Sequence, residues 1–390
     1  MKRKPKNLNT PVFVAIIALV FLFYVYSNLG IRPATKDGLD KVKLPEGFKI
    51  SVFADFGGEG LSYPGPNAGP RLMGFRNGTL FVTLTKDGKV VALPDGNGDK
   101  TADRVVVFAE GLKNPHGIAF HKDWVYVAEE NEVIRFKDSN FDLAPDEEAE
   151  KLVYNIPTGG HFTRTILIHN NSLYLSIGSS CNVCYEQTAA RAAVLECDLE
   201  GNNCSLFASG LRNAVGMAVN KETQEIFVTD NGRDLLGNNI PPEEVNILKA
   251  GRNYGWPVCY GNKIHDADFD KNAYVRDPCA DTEPPAVEMQ AHSAPLGLTF
   301  YYADQFPEEY RGNLFVAFHG SWNREEPTGY KVVRIVFDGK KYDVKDFATG
   351  WLSDGKILGR PVDVIVAGDG SLFVSDDNSG RIYRIYYQGV

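Results

Sequence analysis

Arg71-Leu72-Met73-Gly74-Phe75, followed after a short polar turn by Leu80-Phe81-Val82, is the phrase on which the reading of this chain turns. It joins one apolar run to a second in which an aromatic residue sits between two aliphatic ones, the pattern of paired strands. His116-Gly117-Ile118-Ala119-Phe120 with Val125-Tyr126-Val127 repeats it, as does Ile166-Leu167-Ile168 with Leu173-Tyr174-Leu175. Gly216-Met217-Ala218-Val219 with Ile226-Phe227-Val228 is the fourth copy. Gly297-Leu298-Thr299-Phe300 with Leu314-Phe315-Val316, and Val364-Ile365-Val366 with Leu372-Phe373-Val374, complete the series. The aromatic positions 81, 126, 174, 227, 315 and 373 lie 45, 48, 53, 88 and 58 residues apart. Two strand signals per unit at that spacing predict an all-β, six-bladed propeller of four-stranded blades.

In such a blade the first strand lines the central channel, and chain direction alternates from strand to strand. The loop entering the first strand and the loop leaving the second therefore open on one face. The entry loops carry Arg71, His116, His161, Arg212 with Asn213, His292 and Arg360. The loops after the second strands include Gly178-Ser179-Ser180-Cys181, Asp230-Asn231-Gly232-Arg233 and His319-Gly320-Ser321-Trp322-Asn323-Arg324. Both sets are expected at one mouth of the channel. The alternating stretch Phe48-Lys49-Ile50-Ser51-Val52-Phe53 is expected to pair with the final strand, Arg381-Ile382-Tyr383-Arg384-Ile385-Tyr386, and so remove a free sheet edge.

Thirty-eight glycines and 12% aromatic residues suit a turn-rich β protein, and a net charge of -9 argues against a nucleic-acid partner. Residues 7–31 carry no charge, and Pro11 to Tyr26 is mostly aliphatic or aromatic. That run is long enough to cross a thin hydrocarbon core, and Lys2, Arg3, Lys4 and Lys6 before it predict a short cytoplasmic tail. The expected organisation is a tail over 1–10, an N-terminal transmembrane helix over 11–30, a linker over 31–43 and an exported propeller over 44–390. A cleaved signal peptide is the rival reading of the same segment. Six cysteines fit an oxidising compartment. Cys197 with Cys204 and Cys259 with Cys279 are the expected disulfides. For Cys181 and Cys184 a tight disulfide is the default over a metal site or a redox pair, and Tyr185 excludes the C-x-x-C-H haem signature.

Seven phrases bring a family into view. They are Gly160-His161-Phe162-Thr163-Arg164-Thr165, Gly178-Ser179-Ser180-Cys181-Asn182-Val183-Cys184, Gly210-Leu211-Arg212-Asn213-Ala214-Val215-Gly216 and Thr229-Asp230-Asn231-Gly232-Arg233-Asp234. Asn253-Tyr254-Gly255-Trp256-Pro257, the blade-five loop at 319–324 and Gly359-Arg360-Pro361-Val362-Asp363-Val364 complete the set. Together they resemble the glucose/sorbosone dehydrogenase family, and within it the sorbosone-dehydrogenase-like branch, over roughly residues 44–388. The resemblance implies pyrroloquinoline quinone (PQQ) and Ca2+ as cofactors, and oxidation of a sugar or sugar-derived aldehyde. It implies His161 as the general base, since a neutral imidazole suits removal of a hydroxyl proton as hydride leaves carbon. It assigns Arg212, Asn213, Arg360 and His292 to the cofactor, whose carboxylates suit guanidinium forks. A lysine expected in the blade-five loop cannot be placed uniquely, and Arg324 and Lys331 are both candidates. The backbone carbonyls of Gly232 and Arg233 are implied as calcium ligands, an arrangement that suits a hard ion.

Some residues depart from the family pattern. Phe162-Thr163-Arg164 stands where glucose-oxidising relatives have glycines, Ser179 stands in place of an aspartate near the base, and Val362 in place of an arginine. Two rival readings follow: a calcium-dependent lactonase, and a non-catalytic propeller that binds a glycan or protein. The basic lining expected here disfavours the first. With no haem motif in the chain, electrons are expected to leave to an external acceptor, a cytochrome or a membrane quinone. Asp95-Gly96-Asn97-Gly98-Asp99 with Asp103 is compatible with either a structural calcium or a solvated acidic turn.

Overall fold

The computed structural model describes residues 38–57 and 69–389. Among them, six antiparallel four-stranded units follow one another. Blade one is Pro70–Arg76, Thr79–Leu84, Lys89–Leu93 and Val106–Ala109. Blade two is Gly117–His121, Trp124–Ala128, Val133–Lys137 and Glu150–Val153. Blade three is Arg164–His169, Ser172–Ile177, Ala193–Asp198 and Ser205–Ser209, with the short strand Arg252–Asn253 added in parallel at its edge. Blade four is Ala214–Val219, Ile226–Asp230, Glu243–Ile247 and Val287–Met289. Blade five is Pro295–Phe300, Leu314–Phe318, Lys331–Phe337 and Tyr342–Ala348. Blade six takes Pro361–Val366, Leu372–Asp376 and Arg381–Tyr387 from the end of the chain and Phe48–Asp55 from its beginning. The first strand of each blade packs beside the first strands of its two neighbours, and blade six meets blade one.

The hydrophobic cores lie between blades. In a strand, neighbouring side chains point to opposite faces, so a strand buried on both faces is apolar at every position. Leu80 and Val82 join the cluster shared with blade six, while Phe81 between them joins the cluster shared with blade two. The same step repeats around the ring. Tyr126 reaches blade three, Tyr174 blade four, Phe227 blade five, Phe315 blade six and Phe373 blade one. All six aromatic side chains are buried.

The wide interval between positions 227 and 315 comes from an insertion in blade four, between its third and fourth strands. It carries the hairpin Cys259–Tyr260 with Ile264–His265 and is closed by the Cys259–Cys279 disulfide. Cys181–Cys184 and Cys197–Cys204 are also bonded, as expected.

Ring closure follows the sequence expectation. Phe48–Asp55 pairs antiparallel with Arg381–Tyr387, from Phe48 opposite Tyr387 to Asp55 opposite Arg381. The segment read as a linker differs in part, because residues 38–43 are docked on the propeller. Lys43 exchanges backbone hydrogen bonds with Thr349, and Leu39 and Val42 pack against the blade five–six core. The expected tail and membrane helix at 1–30, and the linker up to residue 37, lie outside the described residues. Among the described residues no helix is long and apolar enough to cross a membrane.

Phe48 anchors the closing strand. Its ring meets Phe306, Tyr310, Phe347 and Tyr387 at centroid distances of 4.7 to 5.2 Å. Truncating a buried aromatic costs about 3–5 kcal/mol. Phe48→Ala is therefore expected to lower unfolding free energy by that order in urea denaturation, whereas Phe337→Ala on an exposed ring should change it by less than about 0.5 kcal/mol.

Candidate active site at the channel mouth

Backbone irregularities at the mouth end of the first strands turn the entry-loop side chains toward the axis. Register shifts occur at Pro70/Met73, Ala214/Met217, Pro295/Leu298 and Pro361/Asp363, and such bulges re-aim side chains. A carboxylate at the end of the second strand then fixes the loop. Asp230 accepts the backbone N–H groups of Arg212 and Asn213, and Asp376 accepts that of Arg360. Burial raises the pKa of both carboxyls.

The result is a cavity of about 330 Å³ at one end of the channel. Arg71, His161, Arg212, Asn213, Gly232, His292 and Arg360 all line it, from five different blade junctions. Of the residues given a cofactor or metal role in the sequence, three have side chains that lie elsewhere. Arg324 is half-buried and donates to Asn239 Oδ1 at 3.1 Å. Lys331 begins the third strand of blade five, where its Nζ pairs with Asp346 at 2.6 Å on the fourth strand. The Arg233 side chain turns behind the site to Asp266, with 2.9 Å between Nε and Oδ2. Arg324 and Lys331, the two candidates for a cofactor contact in blade five, do not line the cavity, because strand pairing and local partners draw both side chains off the mouth.

His161 sits where blade three begins. Its Nδ1 lies 3.1 Å from Ser179 O and 3.0 Å from Ser179 Oγ. Gly178 is required beside it, since a Cβ there would come within 2.5 Å of Asn213 Oδ1 and 2.7 Å of the His161 Cβ. Arg164 holds the preceding loop by donating to the carbonyls of Pro157, His161 and Thr163. Burial first, then the Arg212 charge, depress the His161 pKa to about 3, so the imidazole is neutral at ordinary pH.

Arg212 is fully engaged. Nε donates to Asn182 O, Nη1 to Asn231 O and Gly232 O, and Nη2 to Asn182 Oδ1 and Asp234 Oδ2. All five of its N–H groups are accounted for, so it supplies positive charge and loop order and has no open fork. Arg360 differs. Among the described residues its guanidinium donates only to His319 O and Gly320 O, at 3.4 and 3.2 Å, which leaves N–H groups over at the cavity. His292 adopts φ 65°, an uncommon conformation for a non-glycine residue, and its Nε2 meets Gly237 O at 2.6 Å.

Several lining residues carried no assigned role in the sequence reading. Asp234 accepts from Arg212 and from Asn323 Nδ2. Glu243 accepts the backbone N–H groups of Gly232 and Ala294, and its burial lifts its pKa to about 7. His319 and Arg71 both pair with Asp377; burial opposes that carboxylate's charge, yet these two partners hold its pKa down to about 2, while burial keeps the His319 imidazole itself below its ordinary pKa. Trp322 stands at the edge with 71% of its surface exposed. The loops after the second strands were the available signal, since they share the mouth with the entry loops. His116, by contrast, is a packed histidine between Arg71 and Arg164 O. The carboxylates of the Asp95–Asp103 turn accept hydrogen bonds from that turn's own backbone and from Asn97.

A family model described as TrAA12-like matches residues 68–388. An uncharacterized protein of Borreliella burgdorferi is 29% identical over 409 residues, covering 99% of this chain and 100% of that one. The pyrroloquinoline quinone-dependent pyranose dehydrogenase of Coprinopsis cinerea is 27% identical over 377 residues, covering 79% of this chain. That alignment spans 51% of the pyranose dehydrogenase, about half its length. Among solved structures, the calcium structure of the Trichoderma reesei family AA12 enzyme has a TM-score of 0.73 at 22% identity, covering 89% of this chain and 97% of that one. The holo PQQ domain of the Coprinopsis cinerea pyranose dehydrogenase has a TM-score of 0.72 at 22% identity, covering 88% and 97%. At those identities the structural likeness is one of fold.

The depressed pKa of His161 has a measurable consequence. The unfolded chain takes up this proton near pH 6.5 and the folded chain near 3, so the stability contributed here is lost as pH falls across that window. In a histidine NMR titration, His161 should remain neutral from about pH 5 to pH 8. Ser179→Asp should raise its pKa by about one unit or more by placing an anion at Nδ1.

Proposed function

The chain belongs to the TrAA12-like family, and from that premise we propose that it is a PQQ- and Ca2+-dependent dehydrogenase that oxidises a sugar or sugar-derived aldehyde. The observation that carries this reading is the site itself: a neutral histidine and three guanidinium groups, brought from separate blades to one cavity. PQQ held by these residues would supply the hydride acceptor for the substrate carbon, and Ca2+ would supply a Lewis acid beside it.

The donor set suits such a group. Arg360 offers unoccupied N–H groups to a carboxylate, Arg71 and Arg212 add positive charge, and Asn213 and His292 flank them. On the blade-four side, Gly232 O, Asn231 O and the Asp234 carboxylate form an oxygen-rich wall of the kind a hard cation accepts. Gly232 O already accepts from Arg212 and keeps a second lone pair. Arg233 enters this reading through its carbonyl alone.

His161 would take the hydroxyl proton of the substrate. Its Nδ1 is held by Ser179, so the proton acceptor is Nε2. An imidazole with so low a pKa is never blocked by a proton at working pH, though it is a weaker base than the family's aspartate-supported one. The exposed face of Trp322 suits stacking against the apolar face of a sugar ring. Electrons would leave to an external acceptor, a cytochrome or membrane quinone. Three disulfides and the apolar run at 11–26 support an exported propeller tethered to a membrane.

Reconstitution decides the matter. PQQ with Ca2+ added to purified protein should shift the quinone absorbance and yield sugar-dependent dye reduction. His161→Gln should lower kcat by roughly 10²- to 10⁴-fold while leaving quinone binding within a few-fold of the parent. Lactone hydrolysis in the absence of quinone, or no response to quinone at all, would overturn the reading.

A further inference from the structure

Cys181–Cys184 closes the shortest disulfide ring in the chain, with a sequence separation of 3 against 7 and 20 for the others. A ring that short removes little freedom from the unfolded chain, so global stability is a weak account of it. Its position offers a stronger one. The bridged loop touches both ends of the candidate site.

At one end is the base. The Ser179 hydroxyl has a single hydrogen, which Cys181 O receives at 2.7 Å. Toward His161 Nδ1, Ser179 Oγ can therefore present only lone pairs, and Ser179 O beside it is likewise an acceptor. A ring nitrogen between two acceptors carries the proton, which fixes the Nδ1–H tautomer and leaves Nε2 unprotonated. At the other end is Arg212. Asn182, inside the bridge, accepts Arg212 Nε on its carbonyl at 2.8 Å and Nη2 on its Oδ1 at 2.9 Å. The same Oδ1 accepts Asp234 N, and Asn182 Nδ2 returns a bond to Asp234 O. Behind the loop, Ser180 N and Oγ bind the two oxygens of Glu186.

We propose that the Cys181–Cys184 bridge is a positioning clamp: through Ser179 it sets the tautomer of His161, and through Asn182 it holds Arg212 over the blade-four loop. This rests on the reading of His161 as the base of a dehydrogenase. Cysteine is needed at both positions because the loop must present one carbonyl to Ser179 and another to Arg212, two bonds that no regular strand pairing supports.

The test is the double variant Cys181→Ser/Cys184→Ser in the otherwise intact protein, with the other two disulfides retained. Histidine-labelled NMR, assigned with His161→Gln, should show a pure Nδ1–H imidazole in the parent and a mixture of tautomers in the variant. With reconstituted protein, kcat should fall roughly tenfold or more from misplacement of the base. The acid limb of the pH profile should move upward as water reaches the loosened imidazole. Ser179→Ala, which keeps the bridge, covers the case in which the double variant does not fold; it should shift the tautomer ratio and the acid limb in the same directions by less. An unchanged imidazole and pH profile in a folded variant overturns the proposal, as does an Nε2–H imidazole in the parent. A tautomer shift in a protein that oxidises no sugar would keep the clamp and remove the dehydrogenase reading.

Discussion

The structure depends on one packing relation repeated around a ring. Each second strand is buried on both faces, and its central aromatic faces the next blade while the flanking aliphatics face the previous one. No blade has a core of its own, so each apolar cluster exists only if both neighbours are present. That makes closure obligatory, and the pairing of Phe48–Asp55 with Arg381–Tyr387 ties the two ends of the described chain into one sheet. Burial of this kind is worth roughly 25 cal/mol per Å² of apolar surface. The ring therefore tolerates irregular loops at its mouth.

Those loops are where order is re-imposed by polar groups. Asp230 and Asp376 hold the entry loops of blades four and six through backbone N–H groups, and burial raises the pKa of both. Arg164 does the equivalent work for the loop bearing His161, using carbonyl acceptors. A rigid frame with its reactive side chains on separately anchored loops allows the chemistry of the mouth to vary without disturbing the cores. Ser179 in place of an aspartate is such a variation. It gives His161 Nδ1 a neutral hydrogen-bond partner, which is why burial and Arg212 are left to set the basicity of His161.

The arginines show how much context decides. Arg71, Arg212 and Arg360 reach the same cavity with different consequences: Arg71 is paired with Asp377, Arg212 is fully engaged by five acceptors, and Arg360 retains free donors. A residue type at an entry loop names a candidate; its neighbours decide which part it plays.

The six blades, their order, the closing strand and the three disulfides were legible in the chain, because period-two alternation, aromatic spacing and cysteine placement are local signals. So was the convergence of His161, Arg212, Asn213, His292 and Arg360, since alternation of strand direction alone puts those loops on one face. What the chain could not tell was the side-chain partnership across blades. Lys331 is turned to Asp346 by strand pairing, Arg324 is drawn to Asn239, and Asp234, Glu243 and His319 find their partners in Arg212, the backbone of Gly232 and Ala294, and Asp377. Those choices belong to tertiary structure because each is a contest among acceptors that are far apart in sequence and adjacent only after the ring has closed.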